Sequence, residues 1–193
     1  MYNCIQERQT TNKGNKQMAQ RKTIFKAMSK FLSKDATRGT LQGFYIETIN
    51  EVETRITATN GHVLCSHKMD TEQFRFECVQ EFRVPAPEEL NDLIIYANPK
   101  TTPMDEQLYS PTGAHYPKYR NIIPLPHTMT DVDKLDFHIS FDPKNVQIVI
   151  DAKKYFGMSH AEHAFDYATT KLGACLSYDA ETEIIIMPIR RSN

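Results

Sequence analysis

From Gly43 to Val84 the chain runs through GFYIETIN, VETRITAT, HVLCSHKM and QFRFECVQEFRV, four stretches with apolar side chains at every second position. That period belongs to strands with one buried face. The separators are Asn-Glu, Asn-Gly and Asp-Thr-Glu, which turn a chain sharply, so the run predicts an antiparallel meander. The tightest bend is Asn60-Gly61, and directly behind it stand His62, Val63 and Leu64. A hairpin turn requires none of these three side chains, which marks the bend as a place to look for recognition.

Helical spacing flanks the meander. In RKTIFKAMSKFLSK the residues Ile24, Phe25, Met28, Phe31 and Leu32 recur at the period of a helix with one buried face. At about 100° per residue, Lys22, Lys26, Lys30 and Lys34 fall opposite that stripe, with no acidic residue at i+4 to neutralise them. A solvated helix face accounts for such a row as well as a binding face does. PAPEELNDLIIYANPK predicts a second helix over 88–97, with Pro87 near its first turn, Asn98-Pro99 after it, and an acidic side of Glu88, Glu89 and Asp92. DFHISF reads as a strand, after which Asp142 as N-cap and Pro143 at the first helical position open a helix that Gly157 ends behind Phe156. Strands AFDYATTK, GACLSYD and TEIIIMPI follow.

Helix followed by meander thus occurs twice, over 22–84 and 136–190. The expected class is α+β: two halves (21–84 and 134–190) in one domain spanning 21–190, sheets back to back and helices together on one side. Residues 85–133 read as a connector or insertion between the halves. Residues 1–20 read as a polar, flexible tail, although Tyr2 to Ile5 has the composition of a short edge strand.

A chain of 193 residues with 40% hydrophobic content has material for one packed domain, and a formal charge of -1 leaves nucleic-acid binding to a local basic face. Cys4, Cys65, Cys78 and Cys175 have no CxxC spacing, and no apolar leader or membrane-length run occurs, so a reducing cytoplasm is expected. Glycine-rich phosphate loops, GxSxG and HExxH are missing from the sequence, which predicts neither an enzyme nor a cofactor. His160 and His163 in HAEH form an i, i+3 pair that a metal site would use, but no third ligand stands near them, so no metal is expected. His138 reads as an ordinary strand residue.

The ordered series TRITATNGHVL, YPKYRNIIP, FDPKNVQIVIDAKKYF and IIIMPIRR resembles the bacterial DNA polymerase III beta subunit, the sliding-clamp family, over about residues 22–190. Members carry ATDGHRL, FPDYRRVLP and VMPMRL segments in the same order, matched here by 58–64, 116–124 and 186–191. The chain is about half the length of such a clamp. The resemblance implies a DNA clamp fold, and a pocket for short linear peptides of polymerases and other replication proteins. Carried over by position, the pocket residues are Leu41, Thr59, Gly61, His62, Val63, Leu64, Pro117, Ile122, Ile185, Met187 and Pro188. Apolar walls suit Leu or Phe anchors, and a methionine adapts to either. Without the resemblance, Thr59, Leu64, Ile185 and Met187 read as ends of buried strands.

In the family, helices line a central hole and hold duplex DNA by its phosphates without reading bases. The resemblance gives that role to Lys22, Lys26, Lys30 and Lys34, supported by Arg21, Lys144 and Lys154, whose ammonium groups make exchangeable phosphate contacts. The implied partners are non-specific duplex DNA, a DNA polymerase, a clamp loader and further copies of this chain, with no membrane. A ring would require head-to-tail pairing, for which the strand at 182–189 and the strand expected at 74–84 are candidates. The competing expectation is a compact peptide-binding adaptor or decoy that never surrounds DNA.

Overall fold

The computed structural model describes residues 22–96, 109–111, 116–122, 140–158, 166–167, 175–178 and 180–189. The expected tail, Arg21, His138 and the His160/His163 pair lie outside them. Helix α1 (Ile24–Met28) is prolonged by a 3-10 turn (Ser29–Phe31), and a second 3-10 turn (Gly39–Gln42) leads into β1 (Gly43–Thr48), β2 (Glu53–Thr59) and β3 (Val63–Asp70). Helix α2 (Thr71–Phe82), β4 (Leu93–Tyr96), β5 (Tyr109–Pro111), a 3-10 turn (Tyr119–Ile122), α3 (Pro143–Phe156), β6 (Asp166–Tyr167), β7 (Cys175–Tyr178) and β8 (Thr182–Ile186) complete the order.

All these strands form one antiparallel sheet in the order β5-β4-β1-β2-β3-β8-β7-β6. The class is the mixed helix and antiparallel sheet that the patterning implied. The arrangement of the halves differs from expectation: their strands do not stack as two sheets but join edge to edge through β3 and β8, from Val63↔Ile186 to His67↔Thr182. β4 and β5, from the stretch read as a connector, extend the sheet beyond β1. β4 can approach β1 closely because Gly43 has no side chain; a Cβ there would lie 2.3 Å from Ile94 Cγ2.

Two element assignments are overturned. QFRFECVQEFRV forms no strand; Asp70 caps it by accepting from the backbone N–H groups of Glu72 and Gln73, and α2 results. Phe74 and Cys78 face inward while Phe76 and Val79 face solvent, so the apolar residues alternate in sequence although the backbone is helical. The acidic helix expected at 88–97 is instead a loop carrying Glu88 and Glu89, then Asp92 at φ 51, then β4. Its consecutive buried residues Leu93, Ile94 and Ile95 fit a strand covered on both faces. α3 has the caps read from its sequence: Asp142 accepts from Lys144 N, and Gly157 takes the left-handed conformation at φ 72.

The three described helices lie on one face of the sheet. Phe25 of α1 packs edge-on against Phe44 at 5.2 Å and Phe82 at 4.7 Å, and tilted against Phe74 at 5.7 Å. Ile46, Ile56, Ala58, Val63, Cys65, Ile184 and Ile186 supply the sheet side of this core, with Val149 and Ala152 of α3. Burial pushes the Cys78 thiol up to about 12, so it is an inert core residue.

The helix at α2 makes a direct prediction. Phe74→Ala should lower the unfolding free energy by about 3–5 kcal/mol and Phe76→Ala by about 1 kcal/mol or less in urea titrations. On a strand the two side chains would share a face and cost alike, so equal losses would refute the helix.

Candidate functional site

The β2–β3 bend is built by its own side chains. Asn60 Oδ1 accepts from His62 N (2.8 Å) and Val63 N (3.0 Å), while Thr59 Oγ1 donates to Val63 O (2.7 Å) and accepts from Gly61 N (3.0 Å). Gly61 has φ +90, which a side chain would strain. Arg38 lies across the bend and donates from Nη1 to Asn60 O at 3.2 Å. On the other side, Met187 N donates to His62 O at 2.8 Å, so the end of β8 lies against the hairpin.

Alternation along β3 then divides the candidates. Val63 enters the core beneath the helices, whereas Leu64 joins Ile185, its cross-strand neighbour, on the opposite face. Thr59 pairs with Leu64 and shares that face. There Leu64, Ile185 and Tyr119 form a second cluster, with Tyr45, Tyr116 and Met187 packed around it. Tyr45 and Tyr116 stack at 4.7 Å with planes 12° apart, and Tyr119 meets Tyr45 edge-on at 6.0 Å.

Hydrogen bonds hold the three rings in place. Tyr45 donates to Asp92 Oδ1 at 2.5 Å, Tyr116 to Thr57 O at 3.3 Å, and Tyr119 to Glu47, whose carboxylate also pairs with Arg120 at 3.3 Å. Burial, followed by the neighbouring carboxylate for Tyr45 and Tyr119, pushes all three phenols up from their ordinary value, so they stay neutral donors at physiological pH. The arrangement is an aromatic and aliphatic surface edged by exposed His62, Pro117 and Arg120, with half-buried Met187 and Pro188 beside it. Leu41 is buried at the entry to β1, outside this cluster; the Ile122 side chain is outside the described set.

Sequence reasoning passed over Tyr45, Tyr116, Tyr119 and Arg38. Two signals were available: Phe44 and Ile46 turn to the helices, which leaves Tyr45 on the far face, and Tyr-x-x-Tyr in YPKY has the i, i+3 spacing of a 3-10 turn.

On the helix side, Lys22, Lys26, Lys30 and Lys34 are all exposed, as are Lys144 and Lys154 of α3. The row is shorter than expected as a helical stripe, because Lys22 precedes the Thr23 cap and Lys34 follows the 3-10 turn. Nor is it free of acid: Lys30 pairs with Asp151 of α3, and the first turn of α1 donates to α2, Ile24 N to Glu77 and Thr23 Oγ1 to Glu81, both at 2.5 Å. These carboxylates suit a helix N-terminus but dilute the positive field. Both strands nominated for subunit pairing are unsuitable: β8 is interior, between β3 and β7, and 74–84 is largely α2, so the described sheet edges are β5 and β6. Among the described residues no group of three His, Cys, Asp or Glu side chains could hold a metal ion, and no helix is long and apolar enough to cross a membrane.

No protein-family model matches this sequence, and no curated protein matches it either. Solved structures with which the chain aligns include sliding clamps. Those of Bartonella birtlesii, bound to griselimycin (13% identity), and of C. crescentus (16%) each have a TM-score of 0.44 and align with 86% of this chain and 62% of their own. The DNA polymerase III subunit beta of Pseudomonas aeruginosa aligns at 10% identity and a TM-score of 0.26. The chain therefore spans about three-fifths of the first two proteins, and likeness at this depth carries no inference about activity.

The hydrogen bond from Lys30, with a second from Gln147, holds the Asp151 carboxyl below its usual range. A depressed carboxylate contributes stability above its unfolded-state titration and loses it as pH falls through the folded-state value. Carboxyl carbon NMR should show Asp151 titrating low in the parent protein and moving back up in Lys30→Ala; an unchanged midpoint would mean that the pair does not form.

Proposed function

We propose that this chain is a non-enzymatic, clamp-like tether of replication proteins. The face bearing Leu64, Ile185, Met187 and the three tyrosines takes short peptides with Leu or Phe anchors, and the exposed lysines of α1 and α3 contact duplex DNA through its phosphates. The observation that carries this reading is the meeting of three sequence-distant segments, the Asn60-Gly61 bend, the end of β8 and residues 116–122, on the sheet face turned away from the helices. One chain thus presents an apolar recognition surface and a basic surface on opposite sides, as a tether requires. Encirclement of DNA calls for several copies placed head to tail, and the edge strands of the described sheet, β5 and β6, are the elements we assign to it. A polymerase is the expected peptide donor, with a loader as a second partner.

A second reading is favoured by the carboxylates of Asp151, Glu77 and Glu81 within the helix layer: an adaptor that captures the same peptides and never surrounds DNA.

Fluorescence anisotropy with a labelled peptide carrying Leu and Phe anchors tests the shared part. Met187→Ala should weaken binding about tenfold, some 1.4 kcal/mol, without changing the fold. The pair Lys26→Glu with Lys154→Glu should leave peptide affinity unchanged and abolish retention on duplex DNA at low salt. No peptide binding at all would overturn the reading, and no retention of the parent chain on duplex DNA would leave only the adaptor. Light scattering, with retention on circular against linear DNA, then decides whether copies close around the duplex.

A further inference from the structure

Of the large apolar side chains left exposed among the described residues, all but Ile189 lie on α2 or in the turn that abuts its start. Phe76 at 60% and Val79 at 49% exposure stand on the helix; Ile49 and Val52 stand in the β1–β2 turn, where Val52 O accepts from Thr71 N at 2.9 Å. Phe74 and Cys78 already give α2 its buried side, so neither Phe76 nor Val79 is needed for its core. At about 100° per residue, Glu72, Phe76 and Val79 fall within about 60° of one another, and the C-cap Arg83 ends the same stripe. Glu77 and Glu81, which accept from the start of α1, stand on the opposite flank. The stripe thus points away from α1, and the helix layer lies across the sheet from the tyrosine face.

The order along the stripe is acid, apolar, apolar, base, at steps of four, three and four residues. Reversed, such a series is its own complement. Laid antiparallel about a two-fold axis between Glu77 and Cys78, two copies set Phe76 of each against Val79 of the other, and Glu72 of each against Arg83 of the other. A parallel copy would oppose Glu72 to Glu72 and Arg83 to Arg83. Both charges are available: Arg83 is exposed, and Glu72 has an 87% exposed side chain with a loose contact, 3.9 Å, to Arg75 Nε. Antiparallel is also the direction in which helix dipoles attract. We propose that the outer stripe of α2 is the docking face for a second copy of this chain, packed helix to helix about a two-fold axis. Removal of Phe76 and Val79 from water supplies the attraction, and the two crossed pairs of Glu72 with Arg83 fix the direction. The inference does not rest on the peptide- or DNA-binding reading.

The chain contains no tryptophan, so Phe76→Trp reports on this face alone. In a dilution series the indole should emit to the blue at high concentration and move to the red as sedimentation velocity shows the mass falling from two chains to one. Glu72→Arg should raise the midpoint of that transition about tenfold in concentration, because two attractive pairs become repulsive, and Arg83→Glu should do the same. Both changes in one chain should restore the parent midpoint, since the pairs re-form with their signs exchanged, with far-UV circular dichroism unchanged throughout. Phe76→Glu should abolish the association. An indole solvated at every concentration overturns the proposal, and so does association that Phe76→Glu leaves intact. A midpoint indifferent to the single reversals, or not restored in the double variant, overturns it as well. An indole shielded in a chain of single-copy mass would assign the cover to the chain itself and overturn it equally.

Discussion

The pairing of β3 with β8 is the contact on which the rest depends. It joins residues 63–67 to residues 182–186, turns two local meanders into one sheet, and places the end of β8 against the Asn60-Gly61 bend. Closing a loop of that length costs conformational entropy that hydrogen bonds alone would not offset. Burial on both faces offsets it: Ile184 and Ile186 pack beneath the helices, and Ile185 packs on Leu64 and Tyr119. Loss of this one pairing would separate the elements of the candidate site while leaving each meander locally intact.

Because side chains alternate across a strand, the joined sheet also sorts residues between two clusters. Val63 and Leu64 are neighbours in sequence and lie on opposite faces of the sheet. One helps hold the helices, and the other is the floor of an aromatic surface. The polar groups near that surface are engaged with one another, Glu47 with Tyr119 and Arg120, and Arg55 with Glu183 at 2.9 Å and Ser66 at 3.1 Å. Such a network restrains the rings and would lower the ordering cost of binding under the proposed function.

The helix layer follows a different logic. Lys26, Lys30, Lys144 and Lys154 are exposed, yet acidic side chains on α2 and α3 tie the described helices together: Glu77 and Glu81 hold the start of α1, and Asp151 pairs with Lys30. The same carboxylates that set the helix geometry lower the positive potential over it. With Lys30 56% exposed, the Asp151 pair is open to solvent and screening, so its effect lies more in orientation than in stability.

The sequence alone determined what depends on near neighbours. Asn-Gly with Thr59 makes the bend, Asp142-Pro143 and Gly157 bound α3, and strict alternation makes β1, β2 and β3 strands. It also pointed to Leu64, Ile185 and Met187, because their types and order resemble a known pattern. Tertiary structure decided what those local rules leave open. Phe74, Phe76 and Cys78 read as a strand, yet Asp70 caps a helix there and Phe25 packs on Phe74. Only strand pairing between distant segments settles the order of the described sheet, and only packing brings Tyr45 to Tyr116 and Asp151 to Lys30. Periodicity encodes which side of an element is apolar; it does not encode what that side will meet, since the partner is chosen by long-range burial and charge.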